Sequence, residues 1–157
     1  MINISWDKIK KLSINIASVI KQRNIKYDCI IGLSRSGWIP AVIIAHYLGF
    51  RKLTSISVIR NITDDINSAK IPPKIEEIGP IAEKCHNWLI IDDIVGSGET
   101  IKYIRKTFSL PNRSIFVASL FFNSLNGDIN HINKYVDYYA KEEQEWIRFP
   151  WEISLEY

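Results

Sequence analysis

The sequence predicts an α/β fold: a mostly parallel sheet flanked by helices, with a small hood formed by the carboxyl-terminal segment. Three observations predict it. Short apolar runs alternate with segments of helical periodicity, two of those runs end in glycine-containing turns that open a helix, and 157 residues suit one domain spanning 1–157. In such folds ligands bind beyond the carboxyl ends of the strands, which puts both turns on the binding edge.

Ser5 is positioned to cap a first helix in which Trp6, Ile9, Leu12, Ile16, Val19 and Ile20 recur at three- and four-residue spacing, an apolar stripe for packing. Residues 27–33 read as a short buried strand and 34–37 as a turn. A helix over 38–48 follows, with Pro40 near its start and Gly49 past its end. A strand is expected over 53–59. The polar stretch 60–80 carries Asp64, Asp65, Pro72, Pro73, Gly79 and Pro80 and reads as a long loop, either a functional flap or a linker. The plan then repeats, with a strand over 88–91, a turn over 92–99, a helix over 100–108 and a strand over 115–122. A further strand is expected over 135–140, ahead of the aromatic-rich 145–157.

Composition excludes several classes. Apolar residues at 46% and charged residues at 24% are those of a globular chain, not a disordered one. A net charge of +3 is too weak a bias to imply nucleic acid as partner. Cys29 and Cys85 lack CxxC spacing, and His46, His86 and His131 share no ligand spacing, so neither a zinc site nor a disulfide scaffold is expected. No apolar run reaches the roughly 18 residues of a membrane span and the first residues are unlike a signal peptide, so the expectation is a soluble, cytoplasmic protein without a membrane partner.

The most informative stretch runs from Trp88 through Asp92-Asp93-Ile94-Val95-Gly96-Ser97-Gly98-Glu99-Thr100. A buried strand ends there in two carboxylates, expected at an exposed loop edge. Gly96 and Gly98 permit a tight turn whose backbone N–H groups converge at a helix N-terminus, while Ser97 and Thr100 add hydroxyls. Phosphate alone would be repelled by the carboxylates, which suit sugar hydroxyls or a metal, so a phosphorylated ribose satisfies both halves. An ordinary strand-to-helix turn with capping residues accounts for the spacing equally well when it is taken alone.

These residues resemble the phosphoribosyl pyrophosphate (PRPP) motif of type I phosphoribosyltransferases. Gly32-Leu33-Ser34-Arg35-Ser36-Gly37-Trp38 resembles the pyrophosphate loop of that family, most nearly in its bacterial xanthine-guanine form, and Glu145-Trp146-Ile147-Arg148-Phe149-Pro150-Trp151-Glu152 resembles its base-binding segment. The resemblance covers about residues 27–152 and implies magnesium-dependent transfer of a phosphoribosyl group from PRPP to a nitrogen base, a purine of guanine, xanthine or hypoxanthine type, with release of pyrophosphate. It implies that Asp92 and Asp93 hold the ribose hydroxyls and Mg²⁺, partly through water, and that Gly96, Ser97, Gly98, Glu99 and Thr100 hold the 5-phosphate. Ser34, Arg35, Ser36 and Gly37 would receive pyrophosphate, with Arg35 counted as catalytic beside the acidic pair. Trp146 would stack on the base, Ile147 and Glu152 would read its edge, and Phe149 and Trp151 would pack. Residues 60–74 match a flexible lid in position, and association as a dimer or tetramer is implied.

Two departures concern the acceptor. Enzymes of this kind that act on 6-oxopurines carry an aspartate where this chain has Gly96 and a lysine where the nearest match is Asn123, while 124–134 is longer than its counterpart. They leave open an acceptor other than a 6-oxopurine, and a PRPP-binding regulator without transferase activity. A phosphate-binding protein that does not use PRPP is a third reading.

Overall fold

The computed structural model describes residues 1–61 and 69–152. In chain order the elements are β1 (Ile2–Asn3), α1 (Trp6–Gln22), β2 (Cys29–Ser34), α2 (Trp38–Leu48), β3 (Leu53–Asn61), β4 (Lys70–Ile78) and α3 (Pro80–Lys84). They continue with β5 (Asn87–Val95), α4 (Glu99–Thr107), β6 (Ser114–Asn123), α5 (Ile129–Ile132), β7 (Tyr138–Glu143) and β8 (Ile147–Arg148). Six strands form the main sheet in the order β4-β3-β2-β5-β6-β7, parallel throughout except for the antiparallel pair β3 and β4.

The alternation of side chains explains why helices cover both faces. Along β5, Leu89 and Ile91 face one core together with Ile9, Leu12 and Ile16 of α1 and Ala41 and Ile44 of α2. Trp88 and Ile90 face the other, with Ala82 of α3 and Ile101 and Ile104 of α4. A strand buried on both faces reads as a continuous apolar run, and Trp88-Leu89-Ile90-Ile91 is one. Ser5 caps α1 as its sequence implies, its Oγ accepting from the Lys8 N–H at 3.2 Å.

β2 and β5 are neighbours whose onward connections leave in opposite directions, toward β3 and toward β6. Their carboxyl ends therefore form a switch point, where a crevice opens because the two connections diverge. Both glycine turns stand at that point.

Three sequence expectations are corrected. Much of the stretch expected as a loop over 60–80 is strand: Arg60 and Asn61 end β3, and 70–78 form β4, whose exposure alternates residue by residue from Lys70 to Ile75. It tolerates Pro72 and Pro73 because at a sheet edge one of two consecutive N–H positions faces away from the ladder, and the pair lies opposite the register irregularity between Ile59 and Asn61, where the ladder is already interrupted. Second, β5 runs on to Val95, so Asp92 and Asp93 lie inside its carboxyl end and not at an exposed loop edge, with Asp93 only 8% exposed. Third, the strand expected over 135–140 is shifted to Tyr138–Glu143. The two-residue pair formed by β1 and β8, which clamps the hood, has no sequence signal. Residues 62–68 of the expected lid, and 153–157, lie outside the described residues.

Candidate functional site

A cavity of about 310 Å³ occupies the switch point. Its floor is the end of β5, where Asp92 and Asp93 stand side by side, and one wall is the turn and first residues of α4, from Gly96 to Ile101. Arg60 and Lys70, from facing ends of β3 and β4, line the sheet-edge side, while Asn123, Asn126, Trp146, Ile147, Phe149 and Glu152 line the hood side.

The acidic pair is held locally. An Asp92 oxygen accepts from the Asp93 N–H at 3.0 Å, and an Asp93 oxygen accepts from the Ile94 N–H at 2.9 Å. One oxygen on each carboxylate is thereby fixed by main chain. Burial, reinforced by the neighbouring Asp93 charge, pushes Asp92 well above the ordinary carboxylate range. Burial pushes Asp93 up to about 6, against the hydrogen bonds it accepts. Two adjacent carboxyls that resist ionisation together are a site that gains from a cation.

The turn that follows has the make-up of an anion cradle. Gly98 sits at φ +74°, in the left-handed region, immediately before α4. A Cβ there would also lie 2.8 Å from Cδ2 of Tyr135. Every residue from Gly96 to Ile101 lines the cavity, so the wall includes the helix start, whose first N–H groups have no partner within the helix, and two hydroxyl-bearing residues, Ser97 and Thr100.

Ser34, Arg35, Ser36 and Gly37 do not line this cavity, although their turn lies against its floor. A Cβ on Gly37 would meet the Ile91 carbonyl oxygen at 2.6 Å and the Asp92 Cα at 3.0 Å. The Ser34–Arg35 peptide is cis and Arg35 is exposed.

In the hood, Ile2 N–H donates to the Trp146 carbonyl at 2.8 Å and Ile4 N–H to the Arg148 carbonyl at 2.9 Å, so β1 fixes the backbone that carries Trp146. The Trp146 side chain is 42% exposed and no described aromatic ring contacts it. Phe149 and Trp151, by contrast, stack at 4.6 Å with an interplanar angle of 8°, and Phe149 belongs to the α1/α2 core. Glu152 accepts from the Phe149 N–H at 3.0 Å and closes the turn below Trp146.

Asn123 is already engaged. Its Nδ2 donates to the Glu145 carbonyl at 3.3 Å and its Oδ1 accepts from the Leu125 N–H at 3.0 Å, which leaves one amide hydrogen and one lone pair. Sequence reasoning left Arg60, Lys70 and Asn126 without roles, and all three line the cavity. Asn126 had a usable signal: Asn-Gly directly after a strand is a turn signature, and this strand ends on the binding edge. Arg60 and Lys70 had none, because the pairing of β3 with β4 was hidden by the prolines.

A doubly wound sheet with paired carboxylates and an anion cradle at its switch point defines a class of α/β proteins that hold phosphorylated ligands across the strand ends. The model of the family described as phosphoribosyl transferase domain matches residues 5–157, and the chain belongs to that family. It is similar to the xanthine-guanine phosphoribosyltransferase of Gluconobacter oxydans, with 26% identity over 96% of this chain and 84% of the relative. The enzyme of the same name from Cereibacter sphaeroides is 28% identical over 99% of this chain and 89% of its own. Among solved structures, a purine phosphoribosyltransferase from Pyrococcus horikoshii superposes with a TM-score of 0.70 at 28% identity, covering 98% of this chain and 94% of the other. Among the described residues no helix is long and apolar enough to cross a membrane.

Proposed function

We propose that this protein transfers the 5-phosphoribosyl group of PRPP to a nitrogen base of purine type, releasing pyrophosphate. The observation that carries the reading is the single cavity joining an acidic pair, an anion cradle and an uncovered indole, three features matched to ribose hydroxyls, 5-phosphate and base. The names of the relatives support the purine class.

Positive charge develops on the sugar as the bond to pyrophosphate breaks, so catalysis is mainly orientation and electrostatic stabilisation. Asp92 and Asp93 hold the 2- and 3-hydroxyls with the oxygens not engaged by main chain. The backbone from Gly96 through Ser97, Gly98 and Glu99 to Thr100 fixes the 5-phosphate, with the Ser97 and Thr100 hydroxyls beside it. Arg35 offers a forked cation to pyrophosphate, and Ser34, Ser36 and Gly37 shape the turn that lets its backbone approach. Trp146 stacks on the base, with Ile147, Glu152 and the remaining capacity of Asn123 around its edge.

Two oxygen donors with raised proton affinity suit Mg²⁺, which commonly binds one or two carboxylates and completes its shell with water and substrate oxygens. Among the described residues no cluster of three ligating side chains occurs, consistent with an ion shared with substrate. When bound, the ion neutralises pyrophosphate charge. In this reading the protein works in the cytoplasm as a dimer or tetramer, and sedimentation would count the subunits.

The test is magnesium-dependent pyrophosphate release from PRPP across guanine, hypoxanthine, xanthine, adenine, uracil, orotate and nicotinate, with the Asp92→Asn/Asp93→Asn double variant as control. Release with a purine, lost in the variant, is expected. PRPP binding without release for any base would instead favour a PRPP-dependent regulator, a reading motivated by Gly96 and by an Asn123 amide engaged in the hood.

A further inference from the structure

We infer that Asn126 is a specificity-determining residue, whose side-chain amide reads the edge of an uncharged heterocyclic base; this rests on the sugar-phosphate site proposed above. The turn that carries it is locked onto the cradle. A Cβ on Gly127 would collide with the Gly96 carbonyl oxygen and lie 2.6 Å from Cε2 of Phe122, so the backbone of 126–127 is seated against Gly96 with no room for a side chain between them. A Cβ on Gly96 would in turn meet the Asn126 Cβ at 3.1 Å. The absence of a side chain at position 96 and the presence of Asn126 are thus one arrangement: the second residue fills the space over the first.

Asn123 sets the angle of this turn. Its Oδ1 receives the Leu125 N–H, and its own carbonyl receives the Asn126 N–H at 3.3 Å, so the backbone up to Asn126 is fixed. The Asn126 side chain, however, makes no hydrogen bond to any described residue and lines the cavity on the hood side. An amide with two donors and an acceptor, held by a fixed backbone over Gly96 and lining the same cavity as an uncovered indole, is equipped to pair with the edge of a planar ring stacked on that indole. Of the residues lining that side, Asn123, Asn126, Trp146, Ile147, Phe149 and Glu152, only Glu152 carries charge, and it is negative. A base bearing a carboxylate is therefore disfavoured, and a neutral one fits.

The experiment measures equilibrium binding, in magnesium, of ribose 5-phosphate, GMP, IMP, AMP and orotidine 5′-monophosphate to the wild type, Asn126→Ala and Asn130→Ala. Asn126 is exposed and has negative φ, so alanine is accommodated; Asn130 lies on the same excursion but outside the cavity. The expected result is that at least one purine nucleotide binds the wild type more tightly than ribose 5-phosphate does, and that orotidine 5′-monophosphate does not. Asn126→Ala should cut that base-dependent gain by roughly three- to tenfold, the effect of one neutral hydrogen bond, with ribose 5-phosphate affinity unchanged and Asn130→Ala like wild type. An undiminished gain in Asn126→Ala, equal losses for nucleotide and ribose 5-phosphate, tightest binding of the orotate nucleotide, or no gain in the wild type overturns the inference alone. Failure of ribose 5-phosphate itself to bind the wild type overturns the sugar-phosphate site and this inference with it.

Discussion

Arg60 Nη2 lies 2.6 Å from Glu99 Oε2, an ion pair that ties the end of β3 to the first residue of α4, the helix behind the glycine turn. The two sides differ in exposure, 18% for the arginine side chain and 59% for the glutamate. A pair this open on one side contributes about 0–1 kcal/mol to stability. Under the proposed function its consequence lies in ligand binding, because it parks a forked cation beside the site proposed for the 5-phosphate and occupies it with a carboxylate that phosphate must outcompete. Arg60→Ala should weaken PRPP binding about tenfold, the loss of one charge-assisted hydrogen bond, and Glu99→Gln should leave binding equal or tighter. Calorimetric titration with PRPP in magnesium reads both, and wild-type affinity in Arg60→Ala would reduce the pair to a surface contact.

Asp92 and Asp93 should make stability depend on pH in the direction opposite to most carboxylates. Both are raised above the ordinary 3.8, Asp93 to about 6 and Asp92 well above the ordinary range, so the folded protein holds more protons than the unfolded chain. Their contribution is fully present below about pH 4 and is lost as pH climbs through 6 and beyond. Other carboxylates, such as Asp28, whose bonds from the His86 and Asn87 N–H groups lower it, lose stability on acidification instead. Comparison with a double variant isolates the effect. In metal-free buffer the melting temperature of Asp92→Asn/Asp93→Asn minus that of wild type should grow from pH 4 to 8, and PRPP with magnesium should restore the wild type. A difference that stays flat with pH would show that the pair ionises freely.

Gly37 tests how closely the two turns depend on each other. Carbonyl oxygens of Ile91 and Leu33 lie 2.6 and 2.7 Å from where a Cβ would stand, and neither can swing away, because both belong to strand backbone. Gly37→Ala must therefore shift the 34–37 turn relative to the acidic pair. Stability should fall by about 1–3 kcal/mol, the usual cost of overpacking, and pyrophosphate affinity should fall further than ribose 5-phosphate affinity. Urea unfolding and the two titrations measure this; equal losses for both ligands would mean that the turn does not serve pyrophosphate selectively.

The parts of this molecule legible in its sequence are those governed by local rules. Ser5 before an apolar stripe, Gly49 after α2 and the run 88–91 each encode an element through its own residues, and the glycine turn after Asp93 is visible because glycine marks the conformation Gly98 adopts. What escaped depends on partners distant in sequence. Pro72 and Pro73 argue against a strand until β4 is known to be an edge, and Ile2 and Ile147 have no reason to pair until the hood folds over α1. The acidic pair was found but its burial was not, since Asp-Asp reads as a strand terminus while β5 continues to Val95 beside Phe122. Asn123 shows the same limit most clearly: position suggested a base contact, and only the fold reveals the two backbone groups it serves.

That double engagement makes Asn123 the last prediction. Asn123 is 4% exposed but serves two exposed residues, so removal of its amide takes the acceptor from the Leu125 N–H and the donor from the Glu145 carbonyl at places where water replaces only part of each part-buried bond. Two such bonds at about 0.5–1.5 kcal/mol each amount to about 1–3 kcal/mol, which at roughly 2–4 °C per kcal/mol for a chain of this length lowers the melting temperature by roughly 2–12 °C. The loss should reach function through the hood, because Glu145 directly precedes Trp146 and Leu125 directly precedes Asn126. Asn123→Ala should therefore raise KM for the base several-fold and weaken ribose 5-phosphate binding less, since Asn123 reaches the cradle only through the turn seated against Gly96. Calorimetric melting and base saturation curves test both parts. A stable variant with unchanged base KM would mean that the Glu145 and Leu125 contacts are dispensable and that the hood is held by β1 alone.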